Sequence, residues 1–251
     1  MFTARYISCL LLAASPVLLA APVLRVGVSE SDAAPIVVLD ARRELASGLS
    51  KDLGEGLARA LGTRAEFVVL SRNRVEPALQ ASKVDLVCNS NPAWFANSPR
   101  YGWTRDFYPQ IERVATLKNH PRTIRSSDDL AALRLGVIRG YHYPQLEPLW
   151  QSHRAERANH PHLDSSLKAL GLGMVDAVIS SELELAAWVK LNQQAGQRLR
   201  LQPWVVSTLQ TQCAVAPAGQ HSVAALDHAI ARLEKQGDIQ RILQNYRWKS
   251  R

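Results

Sequence analysis

Two short β-branched patterns each occur twice along this chain, in the same order. Arg25-Val26-Gly27-Val28 is followed by Val84-Asp85-Leu86-Val87, and Arg134-Leu135-Gly136-Val137 is followed by Val175-Asp176-Ala177-Val178. Each run has strand length, and a helical stretch precedes the second run of each pair. Each half therefore reads as a β/α unit built on a parallel sheet. Two such halves place function between them.

The first strand is expected at 23–28. Leu49, Leu53, Leu57 and Leu61 then recur at every fourth position in a helix that Gly62 ends. A strand at 67–70, a helix at 75–81 and a strand at 84–88 complete a βαβαβ lobe. Residues 113–117 read as a strand leaving that lobe. Ser126-Ser127-Asp128-Asp129-Leu130 has the form of a helix N-cap, and 134–138 opens the second lobe. Asp164 or Ser165 is expected to cap a helix through Leu170, before a strand at 175–179. Residues 212–216 read as a strand returning to the first lobe. In the tail, Leu226, Ile230 and Leu233 form one apolar stripe, Gly237 interrupts it, and Ile239, Ile242, Leu243 and Tyr246 form another.

Composition adds a compartment. Residues 1–21 have the layout of a signal peptide: Arg5 in the basic region, an uncharged run, and small residues at Ala20 and Ala21. The competing reading is an uncleaved membrane anchor, against which Pro16 and the alanine-rich end argue. Cleavage near Ala20 or Ala21 predicts a soluble exported protein. The formal net charge of +8 is spread over helix faces such as Arg232, Lys235 and Arg241. No docking element gathers it, so no nucleic-acid partner is expected. Cys88 and Cys213 remain after processing, and in an oxidising compartment an even pair favours a disulfide where geometry allows. His160-Pro161-His162 lacks further ligands at zinc spacing, so neither a metal nor a cofactor is expected.

Ligands of open α/β sheets bind at loops after strands. The loop after the first strand carries Glu30 and Asp32 among serines. After the 84–88 strand come Asn89-Ser90-Asn91-Pro92-Ala93-Trp94-Phe95 and then Arg100-Tyr101-Gly102-Trp103. The second lobe offers Arg139-Gly140-Tyr141-His142-Tyr143 and Ser180-Ser181-Glu182. Amides and hydroxyls orient a small ligand, aromatic faces cover it, and a guanidinium grips a carboxylate.

The order and spacing of LRVGV, ALQASKVDLV, DDLAALRLGVIRG, SLKALGLGMVDAVIS and ALDHAIARLEKQGDIQRILQNY resemble the bacterial extracellular solute-binding proteins of family 3, the periplasmic amino-acid-binding type. The resemblance spans about residues 23–248. It implies a type II periplasmic-binding-protein fold of two α/β lobes, each a mainly parallel sheet flanked by helices, joined by two crossovers and closing over a small ligand. The expected boundaries are 22–117 with 208–251 for the first lobe and 118–207 for the second. The same fold implies that Cys88 and Cys213 lie on neighbouring strands and pair.

The family's usual ligand grip is not reproduced. An ungapped alignment puts Trp94 and Asn97 where a Thr and an Arg commonly hold the α-carboxylate, and Ser181 where an acid commonly meets the ammonium. Arg100 or Arg139 is then the expected replacement cation, and Glu30, Asp32 or Glu182 the replacement anion. Asn89, Ser90, Asn91, Trp94, Tyr141, His142 and Ser181 complete the expected site.

These expectations describe a monomeric periplasmic protein that binds a small anionic or amino-acid-like solute for an ABC permease. The alternatives are a binding protein that signals to a membrane sensor without transport, and an enzyme on the same scaffold similar to the cyclohexadienyl dehydratases. No nucleophile elbow or metal set supports the enzyme.

Overall fold

The computed structural model describes residues 23–246. The expected signal peptide therefore lies outside the described residues. Strand β1 (Val23–Ser29) is followed by a small hairpin, β2 (Val38–Leu39) and β3 (Leu45–Ser47), then by helix α1 (Leu49–Leu61), β4 (Arg64–Leu70), α2 (Arg72–Gln80) and β5 (Leu86–Ser90). After β6 (Gly102–Trp103), the chain runs through β7 (Pro109–Leu117), β8 (Arg134–Ile138), α3 (Glu147–Gln151), β9 (Glu156–His160) and α4 (Leu163–Gly171). It continues with β10 (Ala177–Ser181), α5 (Glu182–Leu191), α6 (Gln193–Gly196), β11 (Leu199–Gln210), β12 (Gln212–Val215), α7 (Val223–Lys235) and α8 (Asp238–Tyr246).

Two five-stranded sheets result, in the orders β4-β1-β5-β12-β6 and β11-β7-β10-β8-β9. In the first, β1 is parallel to β4 and β5, and β12 is antiparallel to β5 and β6. In the second, β8 is parallel to β9 and β10, while β7 and β11 are antiparallel neighbours. The repeated sequence pattern is a repeated structural unit. Asp85 accepts hydrogen bonds from the backbone N, Nε and Nη2 of Arg25 at 2.8, 3.1 and 2.6 Å. Asp176 does the same for Arg134 at 2.8, 3.1 and 2.9 Å. The carboxylate that follows a valine in each copy thus ties one strand of each pair to the start of its neighbour.

Helix α1 forms because Leu49, Leu53 and Leu57 make one buried face against β1. Gly62 ends it in the left-handed conformation at φ 72, the backbone turn that a Cβ disfavours. At its other end Gly48 has φ 124, and a Cβ there would stand 2.6 Å from the Ile36 carbonyl oxygen. That close approach lets Leu49 N and Ser50 N donate to the carbonyls of Pro35 and Ile36, which holds the loop after β1 against the helix.

Two local expectations are corrected. Strand β7, taken from the sequence as the strand leaving the first lobe, is hydrogen-bonded along its length within the second sheet. Its buried Val114, Ala115 and Thr116 suit a central strand, but hydropathy does not say which sheet supplies the partners. The chain passes between sheets just before it, where Phe107 N donates to the Thr211 carbonyl and Thr211 N to the Tyr108 carbonyl, both at 2.8 Å. The second correction is the α4 cap. It is His162, whose side chain and that of Ser165 form a reciprocal capping pair, so Ser165 is inside the helix.

Candidate functional site

The C-terminal ends of β1 and β5, the loop after β8 and part of β7 border one cleft between the sheets. A cavity of about 50 Å3 lies there. The loop after β1 supplies Asp32, α2 supplies Arg72, and the end of β5 supplies Cys88, Asn89 and Ser90. The following turn contributes Trp94 and Phe95, β7 contributes Gln110 and Glu112, the loop after β8 contributes Tyr141 and His142, and α5 contributes Glu184.

The two sides touch directly. The Tyr141 hydroxyl is hydrogen-bonded to the Asp32 carboxyl. Ala33 N donates to Glu184 Oε1 at 2.8 Å, and the hydroxyls of Ser180 and Ser181 donate to Glu184 Oε2 at 3.0 and 2.7 Å. The Arg72 guanidinium lies over the rings of Phe95 and Tyr141, at 5.2 and 5.4 Å from their centroids. These contacts close the cleft around a small volume.

The cavity is acidic. Burial, with the charge of Glu184 added, raises the Asp32 carboxyl to about 7 although the Tyr141 hydrogen bond opposes the shift. Burial also raises Glu112 to about 7, opposed by the Ser207 hydroxyl that donates to it at 2.8 Å. Glu184 is raised as well, chiefly by burial. Against these three carboxyls, the lining contains one guanidinium, that of Arg72. A cationic group can be stabilised here by whichever carboxyls are ionised.

The β5 wall is held from behind. Cys88 and Cys213 form a disulfide between neighbouring strands, as the resemblance implied. Asn89 next to it has φ 52, a conformation that Asn tolerates better than most residues, and its Oδ1 accepts from the Tyr108 hydroxyl at 2.6 Å. Among the described residues no cluster of three or more His, Cys, Asp or Glu side chains could hold a metal ion. No helix among them is long and apolar enough to cross a membrane.

Of the residues expected from sequence, Asp32, Asn89, Ser90, Trp94, Tyr141 and His142 line the cavity. Glu30 instead pairs with Arg43. Asn91 caps the turn at Ala93 N and donates to the Gln210 carbonyl. Arg100 and Arg139 are exposed and outside the lining. Ser181 caps α5, while Glu182 pairs with Arg113 at 3.1 Å. Both border a second hollow of about 720 Å3, walled by apolar residues such as Leu183, Val189 and Leu201.

Sequence reasoning missed Arg72, Glu112 and Glu184. Glu184 had a signal, since Ser181 three residues before it gives the Ser-x-x-Glu spacing of a helix start, and Ser181 Oγ accepts from Glu184 N at 3.2 Å. Glu112 occupies the same strand face as the buried Val114 and Thr116, so an acid in the apolar phase was visible. Arg72 stands two residues past a strand and Asp32 three, but one arginine at a helix start has no distinguishing pattern.

The sequence model of the bacterial extracellular solute-binding proteins, family 3, matches residues 24–249. The L-cystine-binding protein TcyJ of Escherichia coli (strain K12) is 20% identical over 203 residues, covering 80% of this chain and 74% of that protein. Among solved structures, an ancestral arginine-binding protein bound to arginine matches with a TM-score of 0.74 at 21% identity, over 89% of this chain and 97% of that one. The amino acid ABC transporter substrate-binding protein AbpA from Streptococcus pneumoniae, bound to L-arginine, matches with a TM-score of 0.73 at 21% identity, over 89% and 94%. At these identities the structural matches establish the two-lobed α/β fold.

Proposed function

We propose, for a chain that belongs to the bacterial extracellular solute-binding proteins, family 3, that the cleft between the two sheets binds a small amino-acid-like solute in the periplasm and presents it to an ABC importer. One observation carries the reading: Asp32, Glu112 and Glu184, drawn from both sides of the cleft, line one small cavity at the ends of parallel strands. Carboxyls so placed suit the ammonium or another cationic group of the solute. Arg100 and Arg139 do not line the cavity, so in this reading the solute is recognised by a cationic group at the carboxyls rather than by an anion at those two arginines.

The two lobes of this proposal follow the two sheets, with crossovers near residues 108 and 211. Closure brings Tyr141 to Asp32 and Glu184 to Ala33, so a ligand bound by these carboxyls couples directly to the lobe angle. The ligands of the relatives, L-cystine and arginine, are amino acids and support the class.

Native mass spectrometry of protein purified from periplasm, followed by calorimetry with amino acids, tests the reading. A bound amino acid whose affinity drops at least about tenfold in Glu184→Gln supports it. A folded protein that binds none of them overturns it.

A further inference from the structure

Arg72 opens α2 immediately after β4, and Trp94 closes the short turn after β5. One N–H of the Arg72 guanidinium donates to the Trp94 carbonyl at 2.8 Å, while the rings of Phe95 and Tyr141 lie against its carbon centre. The group is thus anchored by its edge and its plane. Among the described residues its remaining donors meet no carboxylate. The indole Nε1 of Trp94 is buried and makes no hydrogen bond. Both residues line the cleft cavity.

The anions of the same cavity are in the opposite condition. Asp32 is bonded to Tyr141, Glu184 to Ala33 and two serines, and Glu112 to Ser207. The cavity's acceptors have partners, while the indole N–H of Trp94 has no acceptor and the Arg72 guanidinium has one, the Trp94 carbonyl, for its several N–H groups. A buried indole N–H calls for an acceptor, and a carboxylate beside it can also take two parallel bonds from the half-buried guanidinium.

We infer that Arg72 and the indole N–H of Trp94 form the subsite that holds the carboxylate of the ligand, in place of the arginine missing at Asn97. This rests on the amino-acid reading above and adds the ligand's orientation: carboxylate toward α2 and the β5 turn, cationic group toward the acids. Neutral amides and decarboxylated amines of the same solute are then discriminated against.

The test is calorimetry at about pH 8, above the values of about 7 for Asp32 and Glu112, on oxidised, folded protein. The twenty protein L-amino acids and L-cystine identify the tightest binder, which is then compared with its carboxamide and its decarboxylated amine. The native protein prefers the carboxylate form by about thirtyfold or more, and Arg72→Gln reduces that preference to about threefold or less. Arg72→Lys restores part of it, since the charge returns without the bidentate geometry. Trp94→Phe keeps the ring and weakens binding of the carboxylate form more than that of the amine. An amino acid still preferred by the full factor in Arg72→Gln overturns the subsite and leaves the amino-acid reading standing. Native protein that binds no amino acid of the panel overturns both.

Discussion

The hydroxyl of Tyr141, in the loop after β8, is hydrogen-bonded to the carboxyl of Asp32, in the loop after β1, so one bond joins the two sheets across the cleft. Asp32 serves closure through this bond and faces the cavity at the same time. Tyr141→Phe is expected to retain the fold and ring stacking on Arg72 while favouring a more open lobe angle. Small-angle scattering of the ligand-free variant should show a larger radius than native protein; an unchanged profile would count against a closure role.

Acidity at the cleft has opposite effects on stability and on binding. Asp32 and Glu112 are raised to about 7 by burial, above the value of about 4 in an unfolded chain. The folded state therefore holds protons that the unfolded state has released. Their contribution to stability is complete below about pH 4 and is lost as pH rises through about 7. Ligand-free protein should melt at higher temperature at about pH 5.5 than at about pH 8, and Asp32→Asn with Glu112→Gln should shrink that difference. Binding of a cationic solute should weaken over the same downward pH step, because protonated carboxyls carry no charge. Parallel melting and calorimetric titrations check both signs.

The two copies of the strand-tying carboxylate differ in burial. The Asp85 side chain is 1% exposed and that of Asp176 is 29% exposed. Burial opposes ionisation of Asp85, yet the hydrogen bonds from Arg25 and Gln220 hold its carboxyl below the usual range. Asp85→Ala should destabilise by about 2 kcal/mol, since it leaves the backbone N–H groups of Arg25 and Gln220 and the part-exposed Arg25 guanidinium without their acceptor. Asp176→Ala should lose clearly less. Equal losses in urea unfolding would mean that burial does not set the scale.

Cys88 and Cys213 are separated by 125 residues. A bridge over so long a loop stabilises by about 4 kcal/mol in the chain-entropy model. The paired Cys88→Ser, Cys213→Ser variant should melt about 10 °C lower than the oxidised protein. Because Cys88 borders the cavity, ligand affinity should fall too. A variant with native melting temperature would show that the neighbouring strand pairing suffices.

Charge placement yields a comparison of variants. Arg100→Ala and Arg139→Ala, both at exposed positions, should each leave ligand affinity within about twofold, whereas Asp32→Asn should cost about tenfold or more. Calorimetry with the co-purified solute measures all three. A large loss confined to Arg100 or Arg139 would return the ligand to the loops named from sequence alone.

The doubled fold was legible because its cause is local. Period-two and period-four apolar spacing specify strands and helices, and the repeated Arg and Asp around the β-branched runs specify which strands lie together, through bonds such as Arg25 to Asp85. The resemblance supplied the pairing of Cys88 with Cys213. Asp32, Asn89, Ser90, Trp94, Tyr141 and His142 could be named because they stand at or just past the ends of strands, where open sheets leave side chains facing a cleft. Tertiary structure alone decided which charges share the cavity. Arg72 and Glu184 stand on helices, and Glu112 stands on a strand whose hydropathy suits either sheet. Their approach depends on how two sheets, far apart in sequence, close on each other. A charge's neighbours across a cleft are set by packing over long range, and no local periodicity encodes that distance.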